Sequence, residues 1–261
     1  MVNVLTTETV TSFSELLSKI EEFQGDTDVS WYRGCRSESF KLVPTLFRHG
    51  GKKVIESLLD LEGTITTRFV QRSIPYISRA LVDDWDKMFF MQHYGVPTRL
   101  LDWTENPLVA AYFALEENEK YKNKNAAIWL CDPIKWNRSA LAHISYTGGV
   151  LDQTSTIVAN HRPGTAVGDM PSIPIMMFGS YNSSRIVAQR GVFSLFGKSI
   201  DPIEDMYIAG NYEPGCVKKI VVPAAKVDEI RNSLFRKGIT ESVVFPELDG
   251  LAKEIKKTYG Y

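Results

Sequence analysis

The chain of 261 residues sets 30 Lys and Arg against 31 Asp and Glu, a formal net charge of −1, and is 44% hydrophobic. The balance excludes a protein held on nucleic acid by a general positive field, and the apolar content excludes a disordered chain, which could not offset its ordering entropy. Three widely spaced cysteines without a CxxC pair leave no disulfide framework and point to a reducing cytoplasm. No basic-then-apolar leader opens the sequence and no apolar run approaches the ~18 residues of a membrane span, so no membrane association is expected. Four histidines without HExxH spacing argue against a metal site, and neither GxGxxG nor GxxxxGK[ST] is present. Any nucleotide would have to bind without a glycine-rich turn.

In chain order, Ser12 and Glu15 have capping-box spacing ahead of Leu16, Leu17, Ile20 and Phe23, which predicts a helix over 12–23. Gly25 and the Asp26-Thr27-Asp28 run break it, and Val29-Ser30-Trp31-Tyr32 reads as a strand that delivers Arg33 and stops at Gly34. Val54, Leu58, Leu61, Ile65 and Phe69 predict an amphipathic helix over 53–72, and a third helix is expected over 83–94. Asn106-Pro107 opens an almost wholly apolar run to Leu115, a helix to be buried on most faces. Ala126 to Cys131 suits an interior strand closed by Asp132-Pro133. Residues 145–173, rich in Gly, Thr, Ser, Asn and Pro, read as a covering or mobile loop. Strands are expected over 175–178, 192–196 and 219–222, and helices over 225–237 and 247–258. Helices dominate about 1–120 and strands about 121–261, which predicts an α+β fold as a single domain over 1–261.

Four clusters mix aromatic surface with polar groups that need partners: Trp31 to Gly34, Gln92 to Arg99, Leu100 to Asn106, and Arg185 with Gln189-Arg190-Gly191. Arg33 either grips phosphate or carboxylate with its fork or pairs with Asp102 or a nearby Glu. His93 lacks a paired nucleophile or metal spacing and reads first as structural. Thr98, Arg99 and Asp102 either serve a ligand or form a turn in which Arg99 pairs with Asp102. Asn106, or Thr104 before it, caps the buried helix. The Gln189 amide can read hydroxyls but cannot act as a base at neutral pH. Cys35 has no histidine near it in sequence, which argues against a nucleophile.

WYRG at 31–34, MQHYGVPTRLLDWTENPLVAAYFAL at 91–115, RIVAQRGVFSLF at 185–196 and GITESVVFPELDGLAKEI at 238–255 resemble the FRG-domain family, named for its Phe/Tyr-Arg-Gly motif. The order of parts is also similar to the ADP-ribosyltransferase fold, which implies a mixed, mainly antiparallel sheet flanked by helices. It further implies NAD as substrate, with Arg33 gripping the dinucleotide, Thr104 holding the nicotinamide-side ribose and Gln189 in the third catalytic position. Gln189 is neutral where many such enzymes carry Glu, so Glu105 or Asp102 is the candidate for the missing charge. Tyr32, Gly34, Gln92, His93, Thr98, Arg99, Asp102, Trp103, Asn106 and Arg185 complete the expected binding set. The resemblance implies a toxin or anti-phage effector that modifies a protein or nucleic acid, with a neutralising antitoxin as a further partner. The alternatives are a non-catalytic nucleotide- or nucleic-acid-binding module and an NAD hydrolase using the same site.

Overall fold

In the computed structural model, which describes residues 3–77, 80–180 and 183–261, both halves of the chain feed one sheet. The strands are β1 (Thr6–Thr9), β2 (Trp31–Cys35), β3 (Leu100–Thr104), β4 (Ala126–Cys131), β5 (Ile175–Met177), β6 (Gly191–Leu195) and β7 (Val217–Val222). They lie in the order β1-β7-β4-β2-β3-β6-β5, antiparallel throughout except for the parallel β1/β7 edge. The helices are α1 (Phe13–Gly25), α2 (Ile55–Ser73), α3 (Asp84–His93), α4 (Pro107–Leu115), α5 (Pro133–Ala140), α6 (Ser184–Gln189), α7 (Ile203–Ala209), α8 (Ala224–Arg236), α9 (Glu241–Val244) and α10 (Leu248–Tyr259). The α+β class and the mixed, mainly antiparallel sheet are as expected. The division into a helical first part and a strand-rich second is not found, because β1, β2 and β3 come from residues before 120.

Local chemistry explains the elements that the sequence announces. Ser12 Oγ accepts the Glu15 amide at 3.2 Å while Glu15 reaches back to the Thr11 amide at 2.7 Å, a capping box displaced by one residue. Asn106 Oδ1 caps α4 through the Leu108 amide at 3.0 Å. Arg33 and Gly34, expected at the end of a strand, lie inside β2. Gly34 is required by close approach: a Cβ there would sit 1.9 Å from the Ala110 carbonyl oxygen and 2.5 Å from the Ala114 amide nitrogen of α4.

Alternation along the strands divides the core. Tyr32, Ile128, Leu130, Ile220 and Val222 face α1, α4 and α8. Leu100, Phe193, Leu195, Ile175 and Met177 continue that face under Trp85, Met88 and Phe89 of α3. On the other face Trp31, Trp103 and Trp129 meet Trp136 of α5 and Tyr207 of α7. The 145–173 stretch contains a 3₁₀ turn at Thr156–His161 and buries Val158, His161 and Met170, so it packs as a cover. Among the described residues no helix is long and apolar enough to cross a membrane.

His161 is fully buried, with Nε2 3.4 Å from the Ile173 carbonyl oxygen. Burial lowers its pKa from 6.5 to about 4, and the Arg99 charge pushes in the same direction. The folded state therefore prefers neutral imidazole, and stability is lost as pH falls from about 6.5 towards 4. At pH 5 the loss is about 2 kcal/mol relative to neutral pH. Urea denaturation of wild type and His161→Phe at both pH values checks this, with the pH-dependent loss expected to shrink by that amount in the variant.

Candidate functional site

β2 and β3 share a single register pair, Tyr32 with Thr104, although both strands continue for several residues beyond it. Past that rung they part, and the opening becomes a cleft of about 550 Å³. Its walls come from β2 and β3, the α3 C-terminus at Gln92 and His93, α4 at Ala110 and Phe113, α6 at Arg185 and Gln189, and the segment around Arg48. The Arg33 side chain spans the opening: Nη1 donates to the Asp102 carbonyl oxygen, replacing a ladder bond that parted strands cannot make, and lies 3.9 Å from Asp102 Oδ2. Arg33 Nε is buried and has no hydrogen-bond partner among the described residues, so it is a donor whose desolvation is still uncompensated.

Asp102 is the only carboxylate among the described residues lining the cleft, and its side chain is 58% exposed. It is held by a relay in which Thr98 Oγ1 donates to Gln92 Oε1 and Gln92 Nε2 donates to Asp102 Oδ1 at 2.7 Å. Gly95, at φ 72°, closes α3 with the Val96 amide returning to the Met91 carbonyl at 3.0 Å, and this turn sets Gln92 beside Asp102.

The cations outnumber it. Arg36 is answered by Glu116 outside the cleft, and Lys41 by Asp205 at 3.0 Å. Arg33, Arg48 and Arg185 face Asp102 alone, an excess of two positive charges. Arg48 Nε and Nη2 both donate to the Val43 carbonyl oxygen. Crowding by the cleft wall and then the Arg33 charge disfavour its own charge, a repulsion that a bound anion would relieve. Arg185 stacks its guanidinium over the Phe245 ring at 4.7 Å. Burial and then the Arg185 charge lower the His93 pKa, keeping the imidazole neutral at pH 7. Cys35 also lines the cleft, but burial raises its thiol pKa, against a nucleophilic role.

Of the expected site residues, the cleft brings together Tyr32, Arg33, Gly34, Gln92, His93, Asp102, Trp103, Thr104, Arg185 and Gln189. Thr98, Arg99, Glu105 and Asn106 do not line it. Thr98 acts through Gln92, Asn106 caps α4, and the Glu105 amide donates to the Arg190 carbonyl at 3.1 Å. Arg99 pairs with Glu62 rather than Asp102: Nε donates to both carboxylate oxygens at 3.0 Å, Nη1 to Phe196 O and Nη2 to His161 O, each at 3.0 Å. Thr104 donates to Gln189 O at 2.6 Å and accepts from the Asn106 amide at 2.9 Å, so its hydroxyl is committed to the fold. Gln189 Nε2 donates to Val244 O at 3.1 Å. Arg48, unmarked in sequence, sits at the end of a 3₁₀ turn, Thr45–Arg48, that follows Pro44. Its only signal is a basic residue after the apolar Leu46-Phe47 pair.

Residues 28–123 match the family model of the FRG domain. The chain contains an FRG domain. The matched segment contains both parting strands, Arg33, Arg48, the Gln92 relay and Asp102, while Arg185 and Gln189 lie beyond it. No curated protein and no solved structure matches the chain. The FRG domain thus carries the opening itself, and α6 closes one side.

Arg99 and Arg33, both in the FRG domain, separate structural from site roles. Arg99→Ala leaves Glu62 buried and unpaired and is expected to cost about 3–5 kcal/mol. Arg33→Ala removes one hydrogen bond from a half-open cleft and is expected to cost about 1 kcal/mol. Urea denaturation of both variants checks the contrast.

Proposed function

We propose that the cleft binds NAD, with the pyrophosphate on Arg33 and Arg48, and that the protein transfers ADP-ribose in the manner of the ADP-ribosyltransferases its motifs resemble. The observation carrying this reading is the arginine excess of two charges around the unpartnered Arg33 Nε, suited to a dianionic pyrophosphate. In the reaction the bond from ribose C1′ to nicotinamide breaks and nicotinamide leaves with the electron pair. A nucleophile of a protein or nucleic acid then bonds to C1′ and releases its proton to Asp102. With Gln189 neutral, Asp102 is the carboxylate that stabilises the oxocarbenium-like transition state. Water as acceptor gives the hydrolase form of the same reaction.

Incubation with labelled NAD and cell lysate tests the reading. Label transfer or nicotinamide release is expected, lowered about 100-fold in Asp102→Asn with ADP-ribose binding retained. No release and no transfer would overturn it. A second reading, nucleotide binding without turnover, is favoured by the committed Thr104 hydroxyl and the Gln189 N–H tied to Val244. It is supported if ADP-ribose binds and NAD stays intact. The toxin or anti-phage role belongs to the same proposal: expression in bacteria should arrest growth with wild type and not with Asp102→Asn.

A further inference from the structure

We propose that two copies of this chain pair through α10, antiparallel, about a two-fold axis near Ala252 and Lys253. The helix is seated on its own chain by one side only. Gly250 lies so close to the preceding segment that a Cβ would sit 2.1 Å from the Phe245 carbonyl oxygen. Glu254 accepts the Ser242 amide at 2.9 Å, and Lys257 Nζ donates to Glu241 Oε1 at 2.9 Å. At 100° per residue, positions 250, 254 and 257 share one side, which therefore faces the body of the protein.

The opposite side is apolar. Leu248, Leu251, Ile255 and Tyr259 follow at spacings of three, four and four, and they are 83%, 44%, 49% and 73% exposed. A surface helix ordinarily turns its apolar stripe inward. Here the stripe points away from the body that the described residues form, and none of them covers it.

Charge identifies the partner of the stripe as the same surface. Asp249 and Lys256 are two turns apart on one flank of the stripe, and neither side chain has a hydrogen bond or ion pair among the described residues. A two-fold axis across an antiparallel pair brings each flank against its own copy. Asp249 of one copy then meets Lys256 of the other, twice, while Leu248 faces Tyr259 and Leu251 faces Ile255. The pattern is self-complementary. It is a poor fit to an anionic membrane, because the exposed flank is neutral and two further lysines are drawn inward, Lys257 to Glu241 and Lys253 over the Phe245 ring at 6.0 Å. A pair of twelve-residue helices makes a small interface, so dissociation in the micromolar range is expected. No residue of the cleft takes part in this pairing.

Sedimentation equilibrium of the full chain from about 5 to about 500 µM tests it, a range set by the small interface. Wild type should fit a monomer–dimer equilibrium. Ile255→Asp should raise the dissociation constant at least about tenfold with the melting temperature unchanged, since that side chain is exposed in a single copy. Asp249→Lys and Lys256→Asp should each weaken pairing about fivefold, and the double variant should recover it. Both charge changes oppose the helix dipole, so recovery in the double variant has no explanation in helix stability. A monomer at all concentrations, a dimer indifferent to Ile255→Asp, or a double variant no better than the singles would each overturn the pairing. Sedimentation of a monomeric wild type with anionic vesicles would assign the stripe to a membrane instead.

Discussion

β2 and β3 are held together by one rung, Tyr32 with Thr104, and what the molecule can offer a ligand follows from that limit. A continuous ladder would bring the two strands to ~4.8 Å along their whole length and leave no cleft. Because they part instead, a sheet otherwise filled by tryptophans and aliphatic chains acquires a gap that passes between its two faces. Side chains of both faces reach it: Arg33 and Cys35 with the Arg48 turn from one, Gly34 and Asp102 with α4 from the other. Arg33 spans the gap and holds the Asp102 carbonyl, so the residue whose Nε is left without a partner in the cleft is also the one that replaces lost backbone pairing.

The walls of such a gap have to be held by something other than the ladder. Thr104 ties the end of β3 to the last residue of α6 and to the start of α4 through one hydroxyl. Behind β3, the Arg99 guanidinium joins Glu62 of α2 to the end of β6 and to the 145–173 cover. Both groups are spent on the scaffold. The charge left over in the cleft is then unbalanced, three arginines against one carboxylate, and Gln92 and Thr98 fix that carboxylate in orientation. A chain of nearly zero net charge thus carries a local field suited to a small dianion and not to a long polyanion.

How much of this the sequence discloses depends on the range of each interaction. α1, α4 and β4 are legible because caps, proline placement and apolar runs are local signals, and the structure places them within two residues of expectation. Tyr32, Arg33, Gly34, Gln92, Asp102 and Gln189 are legible as candidates because aromatic and ionisable groups in close sequence demand partners. Arg99 is not separable from them by sequence: its partner Glu62 lies 37 residues earlier, and only the crossing of α2 behind β3 decides between Glu62 and Asp102. Arg48 is hidden for the converse reason, since an arginine in a short turn has no periodicity to mark it. The short helices α5, α6, α7 and α9 escape a reading built on longer amphipathic windows, and with α6 missed Gln189 reads as a residue before a strand instead of the end of a helix.

On the proposed function, the parted strands hold a pyrophosphate. A crystal structure of the full chain with ADP-ribose tests it most directly. The account predicts the two phosphates between β2 and β3, within hydrogen-bond distance of the guanidinium groups of Arg33 and Arg48, and Arg33 Nε engaged. ADP-ribose bound elsewhere on the chain, or a cleft left empty at saturating ligand, would contradict it.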